Sequence, residues 1–408
     1  MTNKPTNCLL GGALGDSLGY PVEFSSYREI QQNNPSGITF INFSEPVLIS
    51  DDTQMSLFTA SALLISDNYL TNLWDCYQDW LETQWKTDKQ SMSHKPVSKL
   101  VDFQKLFNSR EPGRTCLMTL AQQKPGSLQH PINNSKGCGG IMRVAPIGLI
   151  DEDENIIAQL GAESSALTHG HPLSSLSSAY LAVLIHRLLT SNISPQLVLD
   201  TLNFIKSKFS TMDYLSDFTE IIKLATNLSQ TTDNDFINFQ RLGKGWVAEE
   251  TLGIALYCAL KYQNDFSKAM IVSVNHKGDS DSTGAVTGNI LGALIGYDAI
   301  DSKWKKDLEL LDVILEVADD LCHGCQMSEY SYYFDPAWAT KYMHMHRYEE
   351  PKKNPEYVFF WLDNEKYGEF SNWYQREFVI DDFRYFCVEQ YMMAQKAKLF
   401  HDSVRYTA

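Results

Sequence analysis

Two short acidic turns hold most of the chemistry this sequence can do. Gly278-Asp279-Ser280-Asp281-Ser282-Thr283-Gly284 sets two carboxylates and three hydroxyls ahead of an apolar run. Asp279 and Asp281 stand two apart, so an irregular turn can aim both at one point. A hard, all-oxygen set of this kind suits magnesium, manganese or calcium rather than zinc. Ser50-Asp51-Asp52-Thr53 repeats the theme before a second apolar run. Either turn alone reads as an ordinary helix N-cap, where Asp and Ser complement the dipole. Brought together they would supply four carboxylates, enough for a two-metal site.

Three further groups carry possible chemistry. Glu23 stands in a turn between Val22 and Phe24. It is either an exposed loop carboxylate or one whose charge state its apolar neighbours tune. Ser135-Lys136-Gly137-Cys138-Gly139-Gly140-Ile141-Met142-Arg143 is a glycine-rich loop entering an apolar segment. Consecutive glycines permit positive φ and bare their backbone N–H groups, which can cradle a phosphate. It matches neither a Walker A loop nor GxGxxG, and no base stands near Cys138 in sequence to make it a nucleophile. Thr168-His169-Gly170-His171-Pro172 offers two imidazoles, as ligands or as loop residues that cap helices or touch a substrate.

The elements that must position these groups read as helices. Apolar residues recur at about 3.6 residues through Leu9–Leu18, Gln54–Ile65, Leu73–Trp85, Ile156–Leu167, Leu173–Leu189, Pro195–Phe209, Tyr214–Leu228, Ala248–Lys261, Phe266–Asn275 and Leu308–Leu321. Pro21 should end or restart the first of them. Trp74, Tyr77, Trp80 and Trp85 form an aromatic stripe expected to lie in the core. Gly284, Gly288, Gly292 and Gly296 recur every fourth residue, a face that another backbone can approach closely. Gly costs roughly 1 kcal/mol against Ala inside a helix, so the repeat implies a packing reason. Ile38–Ile41 is a candidate strand. Residues 1–328 thus read as one all-α, multi-helix domain.

Composition narrows the function classes. The 408 residues are 43% hydrophobic, enough for a sizeable core, and the formal charge is −16. That charge argues against a general nucleic-acid binder. No apolar run reaches the roughly 18 residues of a membrane span, and no apolar signal core follows Met1-Thr2-Asn3-Lys4-Pro5. The eight cysteines follow no regular framework. Cys322-His323-Gly324-Cys325 is a lone CxxC, read as incidental thiols. A reduced, cytoplasmic protein is expected.

In order, Gly12-Ala13-Leu14-Gly15-Asp16 through Glu23, Ser50–Thr53, Ser135–Arg143, Thr168–Pro172 and Gly278–Ala285 resemble the blocks of the ADP-ribosylglycohydrolase family, the dinitrogenase-reductase-activating type. The resemblance covers roughly residues 7–325 and implies an all-helical fold with two Mg2+ or Mn2+ ions in a central cleft. By motif match it implies Ser50, Asp51, Asp52, Asp279, Asp281 and Ser282 as metal ligands. It implies Glu23 and Asp281 at the reacting bond. Ser135, Gly137, Cys138, Gly139, Gly140, Met142 and His169 would hold the ADP-ribose. The implied activity is metal-dependent hydrolysis of the glycosidic bond between ADP-ribose and a protein side chain or other acceptor, releasing ADP-ribose. An immunity or binding protein that recognises ADP-ribosylated targets, or blocks an ADP-ribosylating toxin, is the alternative. The complete acidic set favours the enzyme.

The composition changes near Glu329. Residues 329–355 read as an aromatic-rich linker and 356–408 as a short α+β appendage, with Tyr357–Trp361 a strand, Phe370–Tyr374 and Phe383–Phe386 turn and strand, and Val388–Phe400 a helix. Phe360-Trp361, Tyr367–Tyr374 and Val388–Asp402 are similar to the start of a NADAR domain, a family tied to N-glycosidase chemistry on ribosylated amines. Glu389 and Lys396 fall in its motif. About fifty residues make a small core, and independent catalysis is not expected of them.

Overall fold

The computed structural model describes residues 4–34, 47–296, 299–323, 341–342 and 368–399. It divides into two compact units, Met1–Arg347 and Tyr348–Ala408. The candidate strands Ile38–Ile41 and Tyr357–Trp361, most of the expected linker and Cys325 lie outside the described residues.

The first unit is helical: α1 (Lys4–Gly19), α2 (Tyr27–Asn33), α3 (Asp51–Leu63), α4 (Tyr69–Trp85), α5 (Arg114–Leu120), α6 (Glu154–Ala166), α7 (Pro172–Leu188), α8 (Pro195–Lys208), α9 (Leu215–Ser229), α10 (Asp235–Leu242), α11 (Ala248–Lys261), α12 (Phe266–Val274), α13 (Ser280–Gly292), α14 (Ser302–Lys305) and α15 (Leu311–His323). The periodic segments form helices at close to the expected bounds. α2, α5, α10 and α14 escape the periodicity because each is eight residues or fewer. Pro21 restarts the chain as a single 3-10 turn, Tyr20–Val22, just after α1.

Two helices lie at the centre, and both are buried nearly all round. Every residue of α13 is buried, as is α1 from Thr6 to Gly19. Such helices show no polar face because none meets water. They touch backbone to backbone. A Cβ on Gly288 would stand 1.9 Å from Gly11 O, and one on Gly15 would stand 2.0 Å from Gly284 O. A Cβ on Gly19 would meet Ser280 O at 2.2 Å, and one on Gly292 would meet Asn7 O at 2.0 Å. The glycine repeat therefore has its packing reason, and the partner is a matching ridge on α1. Gly296 lies beyond the end of α13 and takes no part in this face. Because Gly19 abuts Ser280, the C-terminal end of α1 is held against the first turn of α13.

The other helices wrap this pair. On α4, Tyr77 and Trp80 are fully buried and Trp74 packs against the core, whereas Trp85 is 57% exposed. It is the last residue of the helix, so the stripe runs out of core there. The Trp80 indole N–H donates to Gln54 Oε1 at 3.1 Å, tying α4 to α3.

In the second unit, β1 (Phe378–Ile380) pairs antiparallel with β2 (Phe383–Tyr385), with Phe378 opposite Tyr385 and Ile380 opposite Phe383. Asp381 and Asp382 make the two-residue turn with φ of 52° and 65°, the doubly left-handed turn that matches strand twist. Helix α16 (Val388–Leu399) follows. Tyr391 packs edge-on against Tyr385 at 5.2 Å and Phe378 at 6.2 Å. Lys396 is exposed and Glu389 half-buried. No helix among the described residues is long and apolar enough to cross a membrane.

Candidate active site

The first acidic turn opens α3. Ser50 is its N-cap, and the Ser50 hydroxyl accepts from Asp52 N at 3.2 Å. What fixes the turn is Asp16, fully buried on α1. Its carboxylate accepts from Ser50 N at 3.0 and 3.1 Å, from Thr53 N at 3.2 Å and from the Thr53 hydroxyl. One oxygen of Asp51, Oδ2, accepts from Gly113 N at 2.9 Å. Asp52 keeps a buried oxygen, Oδ2, that meets no donor.

The second turn opens α13. Asp279 Oδ1 caps it by accepting from Ser282 N at 3.2 Å, and Asp281 Oδ1 accepts from the same N–H at 3.0 Å. Asp279 N donates to Lys244 O at 2.9 Å. The loop that supplies this carbonyl turns on Gly243 and Gly245, with φ of 116° and 81°. A Cβ on Gly245 would also stand 2.7 Å from Thr283 Cγ2, so glycine is needed there twice over.

Glu23 closes the site. It is not an exposed loop residue: it is 9% exposed, just past the 3-10 turn, and its Oε2 is buried without a partner. Glu23, Asp279 and Asp281 each offer an oxygen, all within 4.8 Å of one another, a grouping that can hold a metal ion. The Ser50 hydroxyl meets the Asp281 carboxylate, so the two turns touch. Six buried acids thus converge, and among the described residues none forms an ion pair with Lys or Arg. Burial, then Asp281, pushes Asp16 up to about 7. Burial, then Asp281, Asp279 and Asp51, pushes Glu23 up to about 10. Asp51, Asp52, Asp279 and Asp281 are also raised, burial again coming first. Like charges held this close favour the protonated form until a cation offsets them.

The glycine-rich loop lies beside the second turn. The half-buried Cys138 thiol hydrogen-bonds Asp279 and Ser282. Burial, then the Asp279 and Asp52 carboxylates, holds it in the thiol form, contrary to what a nucleophile needs. Ser135 Oγ pairs with Thr115 Oγ1 at 3.1 Å, and Gly137 bridges Val247. The expectation that the consecutive glycines serve positive φ is corrected. Gly139 and Gly140 do not take left-handed backbone; they make room. A Cβ on Gly140 would stand 2.3 Å from Ser165 Oγ, and one on Gly139 would stand 2.8 Å from Cys116 Sγ and 3.0 Å from His169 Cε1. Met142 is placed apart from the loop surface, 3% exposed, in a small cavity behind Asp52 lined also by Gly12 and Asn289. His169 is buried against Gly137 and Gly139. His171 instead caps α7, its Nδ1 accepting from Leu173 N at 3.1 Å.

Sequence reasoning did not single out three groups here. Asp16 stood in a quoted block, but nothing local shows that it holds Ser50 and Thr53. The Gly243–Trp246 loop gave only its glycines as a signal. Phe24 and Trp246 stack at 5.7 Å beside Glu23, both partly or largely exposed.

A family model described as ADP-ribosylglycohydrolase matches residues 2–331. Human ADP-ribosylhydrolase ARH3 is 24% identical over 332 residues, covering 74% of this chain and 88% of the human protein. The ADP-ribosyl-dinitrogen reductase glycohydrolase of Rhodospirillum rubrum is 23% identical over 322 residues, 76% of this chain and 91% of its own. A solved structure described as an ADP-ribosylglycohydrolase-related protein complex shares the fold, with a TM-score of 0.53 over 79% of this chain and 97% of its own, at 23% identity. With its all-helical first unit matched almost from end to end, the chain belongs to the ADP-ribosylglycohydrolase family.

Proposed function

We propose that this protein hydrolyses the glycosidic bond joining ADP-ribose to a protein side chain or other acceptor, reversing ADP-ribosylation. Family membership supports the reaction class. The observation that carries the reading is the meeting of Glu23, Asp279 and Asp281 with oxygens within 4.8 Å of one another. The partnerless buried oxygens of Glu23 and Asp52 are the structural reason to expect a cation there. A pure binder has no need of such a set, since buried like charges cost stability.

The donors are all hard oxygens, which fits Mg2+ or Mn2+. We assign Ser50, Asp51, Asp52, Asp279, Asp281 and Ser282 as ligands for two such ions. When bound, they supply Lewis-acid stabilisation and an activated water. Glu23 moves the proton: its free Oε2 takes one from the attacking water or delivers one to the leaving acceptor. The bond from the ribose anomeric carbon to the acceptor breaks, a bond to the water oxygen forms, and the acceptor leaves protonated. Positive charge growing on the ribose is stabilised by Asp281 and its neighbours. Ser135 and Gly137–Gly140 line the place for the diphosphate, with His169 beneath them.

Release of free ADP-ribose would be measured from arginine-, serine- and nucleobase-linked substrates, each with Mg2+ and with chelator. Metal-dependent release from at least one linkage is expected. No release from any of them, with metal bound normally, would overturn the hydrolase reading.

A further inference from the structure

Arg143 is fully buried, yet among the described residues it forms no ion pair. It lies over the Tyr77 ring, 4.2 Å from the centroid. Its Nη2 donates to Ser164 O at 3.0 Å and to Thr168 Oγ1 at 2.7 Å. A guanidinium can only donate, so the threonine oxygen must accept from it. Thr168 Oγ1 also lies 2.8 Å from His169 Nδ1. The hydroxyl has one proton to give, and two acceptors compete for it: His169 Nδ1 and the Cys116 sulfur. Burial pushes that thiol up to about 11, so it is a neutral, weak acceptor. An unprotonated ring nitrogen is much the better one.

We infer that Arg143 and Thr168 lock His169 as the tautomer with its single proton on Nε2, making the ring a fixed hydrogen-bond donor to an anionic oxygen of the bound ADP-ribosyl group. The tautomer follows from this chain's geometry alone, whereas its use rests on the reading under Proposed function. Nε2 is the nitrogen that faces the glycine-rich loop. A Cβ on Gly137 would lie 3.4 Å from it, and one on Gly139 would lie 3.3 Å away. The backbone holds the ring in place, because His169 N donates to Ser165 O at 2.9 Å and Asn133 Nδ2 donates to Thr168 O at 2.8 Å. Burial, and then the Arg143 charge, pushes His169 down to about 3, so the ring carries one proton and stays neutral. Arg143 and Thr168 are positioning residues here, acting on the ligand through the imidazole.

The test is 15N NMR of the full chain labelled at histidine, with His169→Gln identifying the resonances. Nδ1 should show the shift of an unprotonated ring nitrogen and Nε2 that of a protonated one, unchanged across the roughly pH 5–8 range in which an ordinary histidine titrates. A protonated Nδ1 would overturn the proposal, since it places the threonine proton on Cys116. Thr168→Val should let the two nitrogens average towards each other. It should also raise KM about tenfold, the worth of one hydrogen bond, with kcat nearly unchanged. Thr168→Ser should restore both. If no linkage is hydrolysed, the NMR still decides the tautomer, and ADP-ribose affinity replaces KM. A valine variant with unchanged ring shifts would sink the relay.

Discussion

The two acidic turns look alike in sequence, and both cap a helix, yet they are held by opposite means. The Ser50–Thr53 turn hangs on one ionisable side chain, the buried Asp16 carboxyl. The Asp279–Ser282 turn is held by the absence of side chains, through the glycine ridges of α1 and α13 and the Gly245 loop. Hydrogen bonds to a carboxylate hold direction but answer to protonation. Backbone contact answers only to volume. A site that must aim several like charges at one point here combines one adjustable wall with one rigid wall.

Asp281 sits where the walls touch, so its loss should have the largest effect. Asp281→Ala is expected to lower kcat/KM by roughly 10²–10⁴-fold with little change in secondary structure, read by ADP-ribose release and circular dichroism. Full turnover in this variant would show that the two turns do not form one site. The rigid wall is tested by Gly288→Val. With Gly11 O only 1.9 Å from the new Cβ, the helices must separate, costing about 3 kcal/mol in a urea unfolding series. The adjustable wall is tested by Asp16→Asn. Its amide fills the same space but must turn an NH2 towards one of the N–H donors. A loss of about 2 kcal/mol is expected, with activity falling. Equal costs for the two variants would erase the distinction between the walls.

The smallest effect is one of pH. Asp16 rises from about 3.9 in the unfolded chain to about 7 in the folded one. An acid raised on folding binds more protons in the native state across that window. Its contribution is therefore full below about pH 4 and lost as pH rises through 7. In chelator, the thermal midpoint should fall over that interval, and a divalent cation should flatten the slope. A midpoint that rises from pH 5 to 7 in chelator would contradict the buried-acid arrangement.

Much of this was legible because it is local. Helix periodicity, the acidic caps and the Gly284–Gly292 repeat are written within single segments. What was hidden depends on distance. Asp16 acts on residues 34 and 37 positions away, and no pattern in α1 announces it. Glu23 looked like either a loop or a core carboxylate until the α1–α13 contact carried it to Asp279. Gly139 and Gly140 were read as conformational glycines, whereas Ser165, Ser174, Cys116 and His169 are what exclude a side chain there. A lone glycine's reason is invisible until its neighbours are known.

The glycine contact also bears on how the molecule is made. Its two halves are encoded near opposite ends of the helical unit, Lys4–Gly19 and Ser280–Gly292. A ribosome adding roughly 5–20 residues per second leaves the first helix without its mate for on the order of 10–50 s. The carboxylates gather last, when the final central helix emerges and docks against the first. A nascent chain cut short before Ser280 would have neither its central pair nor a site, whatever the quality of the helices already formed.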